Sequence, residues 1–148
     1  MPGPARVLVF AIGNTLRGDD GVAHRVADLL GERAGVQIRR VHQLTPELAE
    51  EFSNSQVVIF VDADATTDEV RLELLPPTRQ PPPITHILRP AELLAIAKNL
   101  YDFRGAVYLC HVPAKDFTAG APLTPTAEAG ARAALEAVRA ILEADPPD

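Results

Sequence analysis

Uninterrupted apolar runs mark three of the strands that the sequence predicts: Val7–Ile12, Val57–Val61 and Gly105–His111. Runs of this length and β-branched content are typical of strands that are buried on both faces of a parallel sheet. Polar residues interrupt Val36–Val41, which predicts a strand nearer the edge. Val70–Leu75 alternates between apolar and polar residues, which predicts a strand with one polar face.

Four segments have apolar residues at helical spacing or begin with helix-start signals: Gly21–Glu32, Pro46 to about Phe52, Pro90 to Leu100, and Pro125 to about Glu143. Three of them begin at a proline, which is favoured in the first turn. The resulting order, β-α-β-α-β-β-α-β-α, predicts a three-layer α/β sandwich with a mostly parallel sheet of about five strands. We expect one domain over residues 1–148, with an extended surface loop at the proline-rich Pro76–Pro83.

Composition narrows the possible functions. The formal net charge is −6 and Arg39-Arg40 is the main basic cluster, which argues against nucleic acid as a partner. The single cysteine, Cys110, cannot form an internal disulfide and fits a reducing compartment. We find no apolar run that could span a bilayer and no secretory leader, so we expect a cytoplasmic protein without a membrane partner.

The stretch from Val7 to Val22 has the strongest chemical signal. Its apolar strand is followed by Gly13-Asn14 and then by Gly18-Asp19-Asp20-Gly21, directly before a helical pattern. One aspartate can cap that helix, and the other is then left for another role. The glycine spacing does not fit a dinucleotide fingerprint, and the stretch lacks the Gly-Lys-Ser/Thr of a P-loop. The chain also has no G-x-S-x-G motif of a serine hydrolase.

A second buried strand ends in a carboxylate, Asp62. If the first and third strands are parallel neighbours, Asp20 and Asp62 emerge at the same edge of the sheet, and His86 on the long loop could reach it. Two carboxylates and an imidazole suit a divalent transition metal such as nickel or zinc. Three further histidines remain open as alternative ligands: His24, His42 and His111. Asp64 and Asp68 are interpreted as solvated turn residues, and Cys110 as a buried core residue.

These residues resemble a known family. The stretch Ile12–Gly21, IGNTLRGDDG, is similar to the opening motif of the nickel–iron hydrogenase maturation endopeptidases. Val61-Asp62-Ala63 resembles their second motif, Thr85-His86 their histidine region, and Leu123-Thr124-Pro125 the start of their C-terminal helix. The similarity covers nearly the whole chain in order and spacing.

The resemblance implies an α/β sandwich that removes the C-terminal extension of a hydrogenase large-subunit precursor after nickel insertion. The family's catalytic and metal-contacting residues carry over to Asp20, Asp62 and His86. Nickel would come with the substrate, and no tightly bound organic cofactor is expected. Either the metal or one carboxylate could activate the attacking water. The alternatives are a non-catalytic nickel carrier and a small nucleotide- or flavin-binding α/β module.

Overall fold

The computed structural model describes residues 6–76 and 88–144. Five strands form one sheet, in the order β2-β1-β3-β5-β4. The strands are β1 (Val7–Ile12), β2 (Val36–Val41), β3 (Val57–Asp64), β4 (Arg71–Leu74) and β5 (Ala106–Pro113). The helices are α1 (Val22–Leu30), α2 (Pro90–Tyr101) and α3 (Pro125–Glu143), with 3-10 helices at Gly18–Gly21 and Pro46–Asn54.

The sheet is parallel except at one edge. β1 pairs with β2 and β3, and β3 pairs with β5, all in parallel, whereas β4 pairs with β5 in the antiparallel direction. The predicted α/β sandwich with a mostly parallel five-stranded sheet is therefore confirmed. Antiparallel β4 has an exposed or half-exposed residue at every position, so the apolar face that its alternating sequence predicted is not buried.

Successive side chains of the central strands point to opposite faces of the sheet, so the protein has two hydrophobic cores, one on each face. Val7, Val9 and Ala11 of β1 pack under α1 and α3, while Leu8 and Phe10 face α2 and the 3-10 helix Pro46–Asn54. On that second face, Phe10 stacks on Phe60 with ring centroids 5.2 Å apart. Both central strands are thus buried on both sides, which explains their unbroken apolar sequences.

Three differences from the expected elements concern local geometry. The segment after Thr45 is a 3-10 helix rather than an α-helix. β3 continues past Val61 to Asp64 because Asp62, Ala63 and Asp64 pair with β5. α1 begins at Val22 after a separate 3-10 turn.

The predicted proline-rich loop lies mostly outside the described residues. Within those residues, no helix has both the length and the apolar content needed to cross a membrane.

Candidate functional site

The candidate site lies where the carboxyl ends of β1 and β3 meet. The connection from β1 to β2 runs through α1 on one face, and the connection from β2 to β3 runs through Pro46–Asn54 on the other. In doubly wound folds, such a reversal of direction opens a crevice at the strand ends. Asp20 follows β1, and Asp62 lies in the last part of β3. The 3-10 turn that bears Asp20 also contacts β3.

Asp20 is fixed by the loop that leaves β1. Its Oδ2 accepts a hydrogen bond from the backbone N–H of Asn14, at 2.9 Å. This contact requires the chain to turn back sharply at Gly13, where φ is +145°. A Cβ atom on Gly13 would lie 1.9 Å from the carbonyl oxygen of Asp20. Glycine is therefore needed here both for its backbone angle and for the close approach.

Asp19 has a structural role that the sequence did not indicate. Its side chain is fully buried. Its Oδ2 accepts from the N–H groups of Lys115 (2.7 Å) and Asp116 (3.1 Å) and from the hydroxyl of Thr124 (2.8 Å). Its Oδ1 accepts from the N–H of Thr124, at 2.8 Å. Burial alone would raise the pKa of Asp19, but these hydrogen bonds outweigh it and hold the pKa below its usual value.

The expectation that Asp19 or Asp20 caps the first helix is wrong. Neither the 3-10 turn nor α1 has a side-chain cap hydrogen bond. Both aspartates lie inside the 3-10 turn, and their carboxylates accept hydrogen bonds from other segments, Asp20 from Asn14 and Asp19 from residues 115–124. Asp19 reaches the start of α3, where Thr124 caps the helix by accepting from the N–H of Ala127 at 3.2 Å.

Asp62 has the opposite electrostatic environment. It is half-buried at the end of β3, and this burial raises its pKa to about 6. The negative charge of Asp20 raises it further, while the N–H of Ala63 and the ring of His111 act in the other direction. Asp19 and Asp62 therefore have different environments: four donors stabilise the charge of Asp19, whereas the charge of Asp62 is poorly solvated. A carboxyl group with a raised pKa at a sheet edge is a candidate for acid–base chemistry.

A cleft of about 310 Å³ opens beside Asp62 on the α2 face of the sheet. Its walls combine apolar side chains with an imidazole and a guanidinium group, among them Ile12, Leu44, Leu88, His42 and Arg89. Its volume is at the lower end of the range for small-ligand pockets.

The structure describes three of the four histidines, and each of the three has a different environment. His86 lies outside the described residues. His24 donates from Nε2 to the carbonyl oxygen of Gly13, at 2.8 Å, and so supports the turn that precedes Asp20. His42 is exposed on the rim of the cleft. His111 is paired across the sheet with Asp62.

His111 links β5 to two carboxylates. Its Nδ1 lies 3.0 Å from Oδ2 of Asp64, and its Nε2 lies 3.0 Å from Oε2 of Glu73. Asp64 also accepts from the hydroxyl and N–H of Thr66, which hold its pKa below the usual value. The interpretation of Asp64 as a solvated turn residue is therefore wrong, because it belongs to β3 and joins this network.

The potential metal ligands among the described residues do not by themselves form a metal site. Among residues 6–76 and 88–144, no three His, Cys, Asp or Glu side chains are grouped so that they could hold an ion. Asp20 and Asp62 remain a pair of oxygen donors near the cleft. Their hard carboxylates need a softer partner, such as an imidazole, to suit nickel.

Cys110 is confirmed as a core residue. It is fully buried in β5, and burial raises the pKa of its thiol to about 12. A thiol in that state is not a nucleophile at neutral pH.

Comparison with known proteins shows which of them share this fold. No protein-family model matches the chain, and neither does any curated protein. The hydrogenase 2 maturation peptidase of Thaumarchaeota archaeon SCGC_AB-539-E09 is 25% identical, with a TM-score of 0.68 over 95% of this chain and 99% of that one. The chain is a structural relative of the hydrogenase maturation proteases. The family resemblance drawn from the sequence motifs is thereby confirmed.

Two further members of this group have the same fold at lower identity. The hydrogenase maturating endopeptidase HybD of E. coli is 24% identical, with a TM-score of 0.68 over 93% of this chain and 91% of its own. The maturation protease HycI of Thermococcus kodakarensis KOD1 is 18% identical, with a TM-score of 0.72 over 95% and 94%. Because the matches cover more than nine-tenths of every chain, the similarity extends over the whole domain.

Proposed function

We propose that this chain is an endopeptidase that removes the C-terminal extension of a nickel–iron hydrogenase large-subunit precursor after nickel insertion. The observation that carries the proposal is the arrangement of Asp20 and Asp62 at the β1/β3 switch point, in the fold of the hydrogenase maturation proteases. The cleft beside Asp62 supports it, because a cutting site needs room for the substrate chain.

Recognition of the substrate nickel is the second part of the proposal. Asp20 and Asp62 would contact the ion of the precursor together with His86. Leu88, two positions after His86, lines the same cleft as Asp62, so the sequence places the imidazole close in the chain to the site. Two carboxylates and one nitrogen ligand form a donor set that suits nickel. The chain would then hold nickel only while the precursor is bound.

Asp62 is the candidate general base. In the metal-free chain its pKa is about 6, near neutral pH, the range in which a group can both accept a proton and release it efficiently. In this role Asp62 would act with a carboxylate oxygen that is not bound to the nickel. Asp62 would take the proton of the water that attacks the scissile carbonyl. The nickel of the precursor could instead polarise that carbonyl or lower the pKa of the water. Both routes require the two aspartates.

The direct test is the mass of the precursor. A nickel-loaded large-subunit precursor from the organism that encodes this chain is incubated with the purified protein, and a nickel-free sample of the same precursor serves as the control. We expect one internal cleavage that releases a C-terminal peptide from the nickel-loaded form alone. Cleavage of both forms would refute nickel recognition, and a precursor of unchanged mass would refute the peptidase proposal.

The same experiment separates the alternative functions. A nickel carrier would bind nickel without shortening the precursor, and metal analysis of the protein after gel filtration would detect the bound nickel. A flavin- or nucleotide-binding module would show ligand-dependent thermal stabilisation and no effect on the precursor.

A further inference from the structure

β4 forms one edge of the sheet. It pairs with β5 on one side, and among residues 6–76 and 88–144 no strand lies on its other side. Two of its apolar side chains are exposed as well, Leu72 to 40% and Leu74 to 60%. A strand edge of this kind is a template for pairing with another chain. The sequence and the hydrogen bonds of β4 indicate which chain would fit it.

The pairing with β5 shows which backbone groups of β4 face outwards. The N–H of Leu75 donates to the carbonyl oxygen of Val107 in β5, at 2.8 Å. Successive residues of an antiparallel strand direct their N–H and C=O groups to opposite sides. Glu73 therefore bonds to β5 in the same way, whereas Leu72 and Leu74 direct their backbone groups to the outer side. A second strand that joins this edge has to bond to these two residues.

The sequence of this edge is complementary to itself. In Val70–Leu74, VRLEL, the central Leu72 is flanked by charges of opposite sign and then by apolar residues. In an antiparallel pair with Leu72 opposite the partner's Leu72, Arg71 lies opposite the partner's Glu73 and Glu73 opposite the partner's Arg71. Within one chain, Arg71 lies 3.8 Å from Glu73, farther than a hydrogen bond reaches. A second copy would therefore give Arg71 a carboxylate directly across the edge.

Neighbouring registers lack this match. A two-fold axis at Arg71 places two guanidinium groups opposite each other, and an axis at Glu73 places two carboxylates opposite each other. Like charges in directly opposite positions destabilise a strand pair. An axis between two residues places outward-facing backbone groups opposite inward-facing ones. Charged residues on edge strands commonly prevent pairing, but the charges of β4 favour one register, with the axis at Leu72.

We propose that β4 is the contact surface of a homodimer, in which two copies of this chain pair their β4 strands in antiparallel fashion with Leu72 on the two-fold axis. The occupant is a second copy because the strand complements itself in charge, in apolar pattern and in backbone direction. The contact is short, so the dimer is weak, with a dissociation constant of about 10–100 µM. The carboxyl ends of the parallel strands point in opposite directions in the two copies, so the two candidate sites lie at opposite ends of the joined sheet.

Sedimentation velocity of the full chain between about 5 µM and about 500 µM measures the association. We expect a reversible dimer for wild type. Arg71→Glu places like charges opposite each other at two positions, so it should raise the dissociation constant at least about tenfold. The double variant Arg71→Glu/Glu73→Arg restores both ion pairs and should return to within about threefold of wild type. Arg33→Glu is the matched control, because Arg33 lies beside β2 at the opposite edge and also has an ion pair of 3.8 Å; it should dimerise as wild type does.

A second measurement tests the register. Leu72→Cys and Leu74→Cys are treated with a mild oxidant, both on a Cys110→Ala background because Cys110 is the cross-strand partner of Leu72. In the proposed dimer the two copies of position 72 face each other within the reach of a disulfide, whereas the two copies of position 74 lie about 13 Å apart along the strands. We expect Leu72→Cys to form the covalent dimer at least about tenfold faster, although Leu74 is the more exposed of the two in wild type.

Each outcome supports or overturns the dimer. A wild-type protein that sediments as a monomer at every concentration overturns it. A dimer that Arg71→Glu leaves intact, or that the double variant does not restore, also overturns it, as does cross-linking of Leu74→Cys at the rate of Leu72→Cys. If Arg71→Glu does not fold, the comparison of the two cysteine variants decides. None of these measurements involves cleavage, so the proposed function is tested separately.

Discussion

Replacement of Asp62 by asparagine should stabilise the metal-free protein at neutral pH while it abolishes cleavage. In the folded chain the charge of Asp62 is half-buried and faces the negative charge of Asp20. In the unfolded chain the carboxylate of Asp62 is solvated and no longer lies near that of Asp20. Asparagine keeps the size of the side chain and removes the charge. It should therefore remove the unfavourable electrostatic free energy that the charge of Asp62 adds to the folded state.

The magnitude follows from the pKa. Asp62 titrates at about 6 in the folded protein, against ~3.9 in an unfolded chain. The folded state therefore binds the proton more tightly, and stability falls as the pH rises from about 4 to about 6. A difference of about two pH units corresponds to roughly 2.8 kcal/mol at and above pH 7. Since asparagine loses part of the hydrogen bond from Ala63, we expect a net gain of roughly 1–3 kcal/mol.

Urea denaturation in the presence of a chelator measures this difference at pH 8 and at pH 4. Asp62→Asn should be more stable than wild type at pH 8 and nearly equal to it at pH 4. Asp102→Asn is the control, because Asp102 is exposed and adopts a left-handed backbone angle that asparagine tolerates. Equal stability of Asp62→Asn and wild type at pH 8 would refute the electrostatic account of this residue.

Three further substitutions or treatments test the surroundings of the site. Asp19→Asn should lose about 2–4 kcal/mol at pH 7, since an amide places donors against the N–H groups that now bind Asp19. Because the folded pKa of Asp19 is lowered, this loss should shrink as the pH falls below ~4 through that pKa; an unchanged loss at pH 3 would contradict the assignment. Gly13→Ala should cost at least about 2 kcal/mol and impair cleavage, because its Cβ would collide with Asp20, and a wild-type melting temperature would show that the turn is not needed. Cys110 should resist iodoacetamide at pH 8 in the native protein, whereas rapid alkylation with loss of cleavage would favour a thiol mechanism.

The sequence predicted the sheet well because its central strands are buried on both faces. β1 begins and ends where the apolar run does, and Gly13 marks the point where the chain turns. The sequence did not show that β3 extends through Asp62 to Asp64. That extension depends on backbone pairing with β5, which polar side chains at a sheet edge do not reveal.

The two carboxylates of the first motif were harder to assign. A local pattern suggested that one aspartate caps α1, but the partners of Asp19 lie near residue 115 and at Thr124, about 100 positions later. No spacing rule connects such distant residues. The sequence predicted different roles for Asp19 and Asp20, and the two carboxylates do have different partners, but the predicted helix cap does not form.

The position of the candidate site was predictable, since parallel neighbours bring Asp20 and Asp62 to one edge. The environment of each carboxylate was not. The raised pKa of Asp62 depends on its burial in the folded chain and on the charge of Asp20, neither of which the sequence pattern reveals. The assignment of His86 to the site stays a prediction.

The central claim is that Asp20 and Asp62 together carry out cleavage of the precursor. The most direct test is the single-turnover rate at which wild type, Asp20→Asn, Asp62→Asn and Asp102→Asn release the C-terminal peptide from nickel-loaded precursor. We predict that each of the first two variants loses about 100-fold or more, while Asp102→Asn keeps the wild-type rate. Wild-type rates for Asp20→Asn and Asp62→Asn would contradict the account.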